Sequence, residues 1–498
     1  MKCHILIDWL RTVLTLLHNI FYKKLLPFSY IKVVIFSCCT IVLFSTSLIL
    51  TPIYASGLFS SMGLKEELEL GKKFNLLVRS QMAVVEDPEI VGYIQSIVDQ
   101  LAASMPPQPF QFKASVVLNN SVNAFAIPGG YVFVNTGLIM NMENESELVG
   151  ALAHELAHVT QRHIARRMER AQIVNVASIL GALASVFLGG GNTTGAVFAG
   201  SLAAGQTAML NYSRSDETEA DQIGLQYLVK AGFKPQGMEE AFEKIRRKQW
   251  ASGASTPEYL STHPDIGERI NEIHSRVASL PQSIQARVEN NKRFKRVRTL
   301  IWARYGEPET AYWLFTKSGE KDCLALMGLG ILAERKNKIK VAEDAFHKAV
   351  VCAPNDALIL RETGMFYYNR GDGTQSIQFL KKALSLDSKD VLAQFFYARA
   401  LDDAGNSTEA QTYYKQLLKI LPEDAEVHYI YGRSLGQSGN VFEAYIHLAY
   451  SALYQNDIKK FTLWSEKARS LAKTSEQENQ LKSLMKIHEE RVEITTQE

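Results

Sequence analysis

Cysteine is scarce and unevenly placed. Of five in 498 residues, Cys3, Cys38 and Cys39 lie near the start, leaving only Cys323 and Cys352 beyond them. That excludes a disulfide-dense secreted scaffold but permits a single bridge in an oxidising compartment. An excess of one charge is also missing: the formal net charge is +2, with 21% of residues charged. No basic patch interleaved with aromatic residues stands out, so nothing marks a nucleic-acid partner. The run Lys292-Arg293-Phe294-Lys295-Arg296-Val297-Arg298 is basic, yet its helical spacing predicts a solvated face rather than a phosphate-binding stripe. A chain of this length is too long for one core and should hold two or more domains.

The opening stretch differs in kind from the rest. Lys23, Lys24 and Lys32 precede an uncharged apolar run from Val33 to Leu50, then Thr51-Pro52-Ile53-Tyr54-Ala55. This pattern predicts a secretory signal over residues 1–55, cut after Ala55, and hence an exported, periplasmic protein. The alternative is a retained inner-membrane anchor at 33–50, because that run is about as long as a spanning helix needs. Further on, Ile173 to Leu210 is Gly/Ala-rich and broken by Gly189-Gly190-Gly191-Asn192. Two apolar helices joined by a turn fit it, either as core or as a lid or surface that meets membrane or unfolded protein.

What is present centres on His154-Glu155-Leu156-Ala157-His158. On a helix, residues i and i+4 share a face, so both imidazoles can reach one Zn²⁺, one ion per chain. Glu155, one step round, falls where it can deprotonate a water that the metal makes acidic. Apolar residues at helical spacing flank the motif, and no proline interrupts them. Upstream, Leu64 to Phe74 and Glu89 to Ala103 read as amphipathic helices, and Phe112 to Leu118 and Tyr131 to Thr136 as strands around a loop from Asn123 to Gly130. A strand edge beside a metal helix can hold an extended substrate, and Tyr131, Val132, Phe133, Val134 and Asn135, with Asn123, are the residues expected to form it.

After Asp322 a period of 34 appears. Gly330, Gly364, Ala398 and Gly432 align, as do Phe346, Leu380, Tyr414 and Leu448, and the turn positions Asn337, Gly371, Gly405 and Gly439. Small residues where two helices touch, a large residue opposite and a turn between them define tetratricopeptide (TPR) repeats. The units run 323–356, 357–390, 391–424 and 425–458. Cys323 and Cys352 fall at the two helix ends that an antiparallel pair brings together, so they are expected to be near enough to bridge. The predicted organisation is an α+β zinc metallopeptidase domain over 56–280, mostly helical with a small sheet, and a helical connector over 281–322. An all-α TPR solenoid over 323–458 and capping helices with a tail over 459–498 complete it.

Two histidines leave a catalytic zinc short of a protein ligand. In Ser213-Arg214-Ser215-Asp216-Glu217-Thr218-Glu219-Ala220-Asp221, Glu217 and Asp221 share a helix face, so Glu217 could ligate while Asp221 orients an imidazole. The same acidic residues would also serve as ordinary capping and dipole chemistry at a helix start. His163, five residues past His158, falls on another helix face and is expected to be exposed.

His154-Glu155-x-x-His158 with Ser213-Arg214 and Glu217-x-x-x-Asp221 resembles the gluzincin family that contains the HtpX protease and the CAAX prenyl endopeptidase. Glu69-Leu70-Gly71, Asn123-Ala124-Phe125-Ala126, Pro128-Gly129-Gly130 and Ser261-Thr262-His263-Pro264 with Arg269 are similar too. The resemblance implies that His154, His158 and Glu217 hold zinc, Glu155 is the general base, Asp221 orients a ligand and Arg214 supports the region or the tetrahedral oxyanion. His263 is a candidate fourth ligand that shuts the site at rest. With the leader and repeats, the resemblance implies a protease and chaperone of the bacterial envelope, with unfolded or stalled outer-membrane β-barrel proteins as clients. The TPR region would then meet their assembly machinery. The rival readings are a catalytically quiet TPR scaffold and a membrane-anchored quality-control protease.

Overall fold

The computed structural model describes residues 63–171, 212–251, 263–264, 266–319 and 321–496. The expected signal, its cut, the anchor at 33–50 and the apolar stretch Ile173 to Leu210 lie outside the described residues.

Leu70, Phe74 and Val78 recur every four residues along α1 (Leu64–Gln81), and all three are buried. The chain then forms β1 (Val84–Val85) and α2 (Pro88–Ala103). Asp87 caps α2 by accepting from Glu89 N at 2.9 Å, and Pro88 fills a first-turn position that needs no N–H. Next come β2 (Lys113–Val117), β3 (Ala124–Ile127) and β4 (Tyr131–Asn135), which with β1 form a sheet of order β1-β2-β4-β3. β2 and β4 run parallel, while the outer pairs are antiparallel.

Both sheet faces are covered. Val117, Phe125, Ile127 and Phe133 pack with Leu70, Phe74 and Val78 of α1, whereas Val116, Ala124, Ala126, Val132 and Val134 join the core under α2 and the helices that follow. This corrects the sequence reading twice. The expected loop Asn123 to Gly130 contains β3, whose residues are all buried and so lack the polar alternation that betrays a half-exposed strand. Gly129 and Gly130, at φ 83° and 85°, turn the chain into β4. Tyr131 to Asn135 is not an edge at all, because β2 and β3 pair with it on both sides. It has no side left for a substrate backbone, and Asn123 and Asn135 are likewise buried.

Three helices follow, α3 (Thr136–Asn141), α4 (Glu145–Thr160) and α5 (His163–Ala171). The described chain resumes with α6 (Arg214–Lys230), α7 (Gln236–Ala251), α8 (Ile266–Ala278) and α9 (Gln282–Gln285). α10 (Lys292–Tyr305) and α11 (Pro308–Ser318) lead into helix pairs α12 (Cys323–Arg335) with α13 (Ile339–Cys352), and α14 (Ala357–Asn369) with α15 (Gly373–Leu386). α16 (Val391–Asp403) with α17 (Ser407–Ile420), and α18 (Ala425–Gln437) with α19 (Val441–Tyr454), continue the series before α20 (Ile458–Leu471) and α21 (Ser475–Thr496). The 34-residue register has a backbone cause: Asn337, Gly371, Gly405 and Gly439 all take positive φ, from 54° to 86°, in the turn between paired helices. Cys323 and Cys352 are bonded, with Cα atoms 5.5 Å apart.

The basic run on α10 is not simply a solvated face. Phe294 and Val297 are buried, Arg293 donates to Ser96 Oγ at 3.1 Å, Arg298 donates to Met140 O at 3.2 Å, and Arg296 pairs with Asp356 at 3.0 Å. α10 is the seam between the sheet-bearing part and the repeats. No helix among the described residues is long and apolar enough to cross a membrane.

Candidate metal centre

α4 starts where Asn144 accepts from Glu147 N at 2.8 Å, and from Ser146 to Val159 it is buried on every side. His154 and His158 thus share a face, with ring centroids 4.6 Å apart. α6 crosses close against this helix at Gly224, where an added Cβ would stand 3.0 Å from Ala153 O. Its start separates two roles that the sequence left open. Ser213 and Asp216 form the capping box, whereas Glu217, fully buried, turns toward the histidines.

His263 enters just before α8 and completes the group. His154, His158, Glu217 and His263 each offer a ligand atom, all within 4.8 Å of one another. His154 Nε2 lies 3.0 Å from His158 Nε2, 3.3 Å from His263 Nδ1 and 3.5 Å from Glu217 Oε2. Glu217 Oε1 lies 3.3 Å from His158 Nε2 and 2.9 Å from His263 Nδ1. Ligands placed tetrahedrally about zinc at bond lengths of about 2.0–2.1 Å stand about 3.3 Å apart, so these separations fit such an ion. The donor chemistry fits as well. Three imidazoles and the carboxylate of Glu217, all buried, make a donor set of the kind that holds zinc.

Asp221 lies behind the first histidine, its Oδ1 2.9 Å from His154 Nδ1. Arg269, on α8, grips Asp221 with two bonds of 2.8 Å, ion-pairs with Glu217 and lies 4.9 Å from the centroid of the Phe242 ring. The sequence flagged Arg269 only as part of a similar motif. Arg214, expected to support the centre, is exposed at the first turn of α6, and Arg269 is a guanidinium that reaches these carboxylates. Glu155 Oε1 lies 3.6 Å from His263 Nε2, and Glu155 Oε2 is buried without a hydrogen-bond partner among the described residues.

His163 corrects another expectation: it is buried, not exposed. α4 ends at Thr160 and Arg162 adopts φ 53°, so helical phase is lost and His163 swings back beside His158. Tyr212 stacks on the His158 ring at 3.7 Å and was not singled out in the sequence.

Burial pushes the Glu155 carboxyl up, the direction that suits a general base. Burial would also raise Glu217, but His263, Arg269 and the two motif histidines hold it well below the usual range. Burial opposes a charged His154, yet hydrogen bonds to Asp221 and Glu217 carry it up to about 9. His158 is driven well down, chiefly by burial.

Residues 88–277 match the family model of Peptidase family M48, and residues 368–433 match a tetratricopeptide-repeat model. The chain therefore carries an M48 metallopeptidase domain joined to tetratricopeptide repeats. Among particular relatives, it is similar to the Beta-barrel assembly-enhancing protease of Escherichia coli, 29% identical over 343 residues, 67% of this chain and 69% of that one. The protein of the same name in Yersinia pestis is 32% identical over 219 residues, 44% and 45% of the two chains. Mitochondrial metalloendopeptidase OMA1 of Schizosaccharomyces pombe is 31% identical over 181 residues, 36% and 51%.

Proposed function

We propose that this is a zinc-dependent endopeptidase, also a chaperone, of the bacterial envelope, acting in quality control and assembly of outer-membrane β-barrel proteins. The observation that carries the chemistry is the buried convergence of His154, His158, Glu217 and His263 with Glu155 beside them. The names of the bacterial relatives support the setting.

His154, His158 and Glu217 would hold the zinc, with His263 as a fourth ligand at rest. The ion supplies Lewis acidity, making water acidic near neutral pH and polarising the scissile carbonyl. Glu155 takes the proton of the attacking water and later delivers it to the leaving amine. Asp221 holds the His154 tautomer, and Arg269 holds Asp221. β3 is the outer strand on this side of the sheet, and its buried edge would have to be uncovered for substrate backbone to pair along it. Ala126 of that strand and His158 line one small cleft with Pro128 and Arg162.

His263 would gate the site, since its ring stands between the ligand cluster and the base. The proposed peptidase domain is 56–280, and the repeats over 323–458 would present clients or an assembly partner to it. Export to the periplasm belongs to the same reading. The test is metal removal: chelation should abolish cleavage of an unfolded outer-membrane polypeptide, and one equivalent of zinc per chain should restore it. Cleavage that survives complete metal removal would reject the reading.

A further inference from the structure

Both motif histidines present Nε2 to the ligand cluster, so the state of each ring's Nδ1 decides whether Nε2 has a lone pair to give. For His154, Nδ1 faces Asp221 Oδ1 at 2.9 Å. For His158, Nδ1 faces another imidazole and lies 2.7 Å from His163 Nδ1. The second nitrogen of His163, Nε2, lies 3.0 Å from Glu219 Oε2, and Arg166 donates to that same oxygen at 2.9 Å.

Two Nδ1 atoms at this distance share one proton, and the ring that owns it fixes both tautomers. An ionised Glu219 can only accept. It therefore takes the Nε2–H of His163, which leaves His163 Nδ1 as an acceptor. His158 Nδ1 must then carry the shared proton, and the lone pair of His158 Nε2 faces Glu217 and His154. The opposite arrangement sets a carboxylate against a lone pair and puts a proton on the very nitrogen that would ligate. Tyr212, stacked on His158, restrains the same ring from its face.

We propose that Glu219 and His163 form a relay that fixes the tautomer and orientation of His158, making both of them positioning residues for the metal site. The proposal rests on the zinc reading above. Unlike Asp221, which is buried, this relay ends in solvent: the side chains of Glu219 and Arg166 are 41% and 42% exposed.

The test measures zinc affinity by chelator competition on the full chain, with zinc-free melting temperature as the companion readout. His163→Leu and Glu219→Ala should weaken zinc binding about 10–100-fold, the usual effect of losing an orienting partner. His163→Asn keeps an oxygen that can accept from His158 Nδ1–H, so it should stay within about threefold of native. Zinc-free His163→Leu and His163→Asn should melt alike. Native affinity in both His163→Leu and Glu219→Ala overturns the relay, as does an equal loss in His163→Asn and His163→Leu. Native chain that binds no zinc, or binds it unchanged after His158→Ala, overturns the zinc reading and the relay with it.

Discussion

His263 Nδ1 reaches the ligand cluster while its Nε2 faces Glu155, and the ring is almost fully buried. A side chain in that place competes with both the water and the substrate carbonyl that hydrolysis needs. His263→Ala should therefore raise the rate of peptide cleavage, by about tenfold if the open form is a minor population of native protein. An unchanged or abolished rate would remove the gate. At this scale, His154 and His158 were legible because spacing on one helix fixes their shared face before any tertiary structure exists. Glu217 and Asp221 needed the added information of resemblance, since their helix start also looked like ordinary capping, and Asp216 does serve that purpose. The location of His163 was hidden by the assumption that helical phase continues past Thr160, and the left-handed Arg162 breaks it.

Elements were legible where their periodicity has a local cause. The repeats repeat because a left-handed turn residue and a small-to-large helix contact must recur in each unit. β3 was not, because a short strand buried on both faces shows no alternation, and neither was the sheet order that places β4 inside. One consequence of packing concerns α18 and α19, where His428 and His447 meet at 2.9 Å. Burial, with help from His428 and Lys415, pushes His447 down to about 3, and burial lowers His428 as well. Unfolded chain takes up a proton near pH 6.5 and the folded pair does not, so stability falls as pH drops below 6.5. For His447 alone the loss between pH 7 and 5 is roughly 2 kcal/mol. Denaturant unfolding of native protein and His447→Phe at the two pH values should show the pH dependence shrink in the variant.

The molecule as a whole is tied together by a buried ionic seam. Arg304 of α10 pairs with Asp87, the cap of α2, and with Glu362 of α14 at 2.6 Å. Arg361, almost fully buried, reaches Glu362 and Asp390 at 2.9 Å and Glu89 at 3.3 Å. Burial would raise Glu362, but Arg304 and Arg361 hold it below its usual range. The repeats are thus fixed to the helix that packs on the sheet. Arg361→Met strands buried carboxylates and should cost about 3–5 kcal/mol in denaturant unfolding. A loss under about 1 kcal/mol would mean that the seam is a surface contact. None of this joint was legible in the chain, where the basic run on α10 gives no sign of the acids that meet it from distant helices.

The most direct test of the account is the rate at which native protein and Glu155→Gln, matched for zinc content, cleave an unfolded outer-membrane β-barrel polypeptide. Glu155→Gln should retain one zinc per chain and lose about 10²–10⁴-fold in rate, the contribution of a general base. Cleavage by Glu155→Gln at the native rate would contradict it.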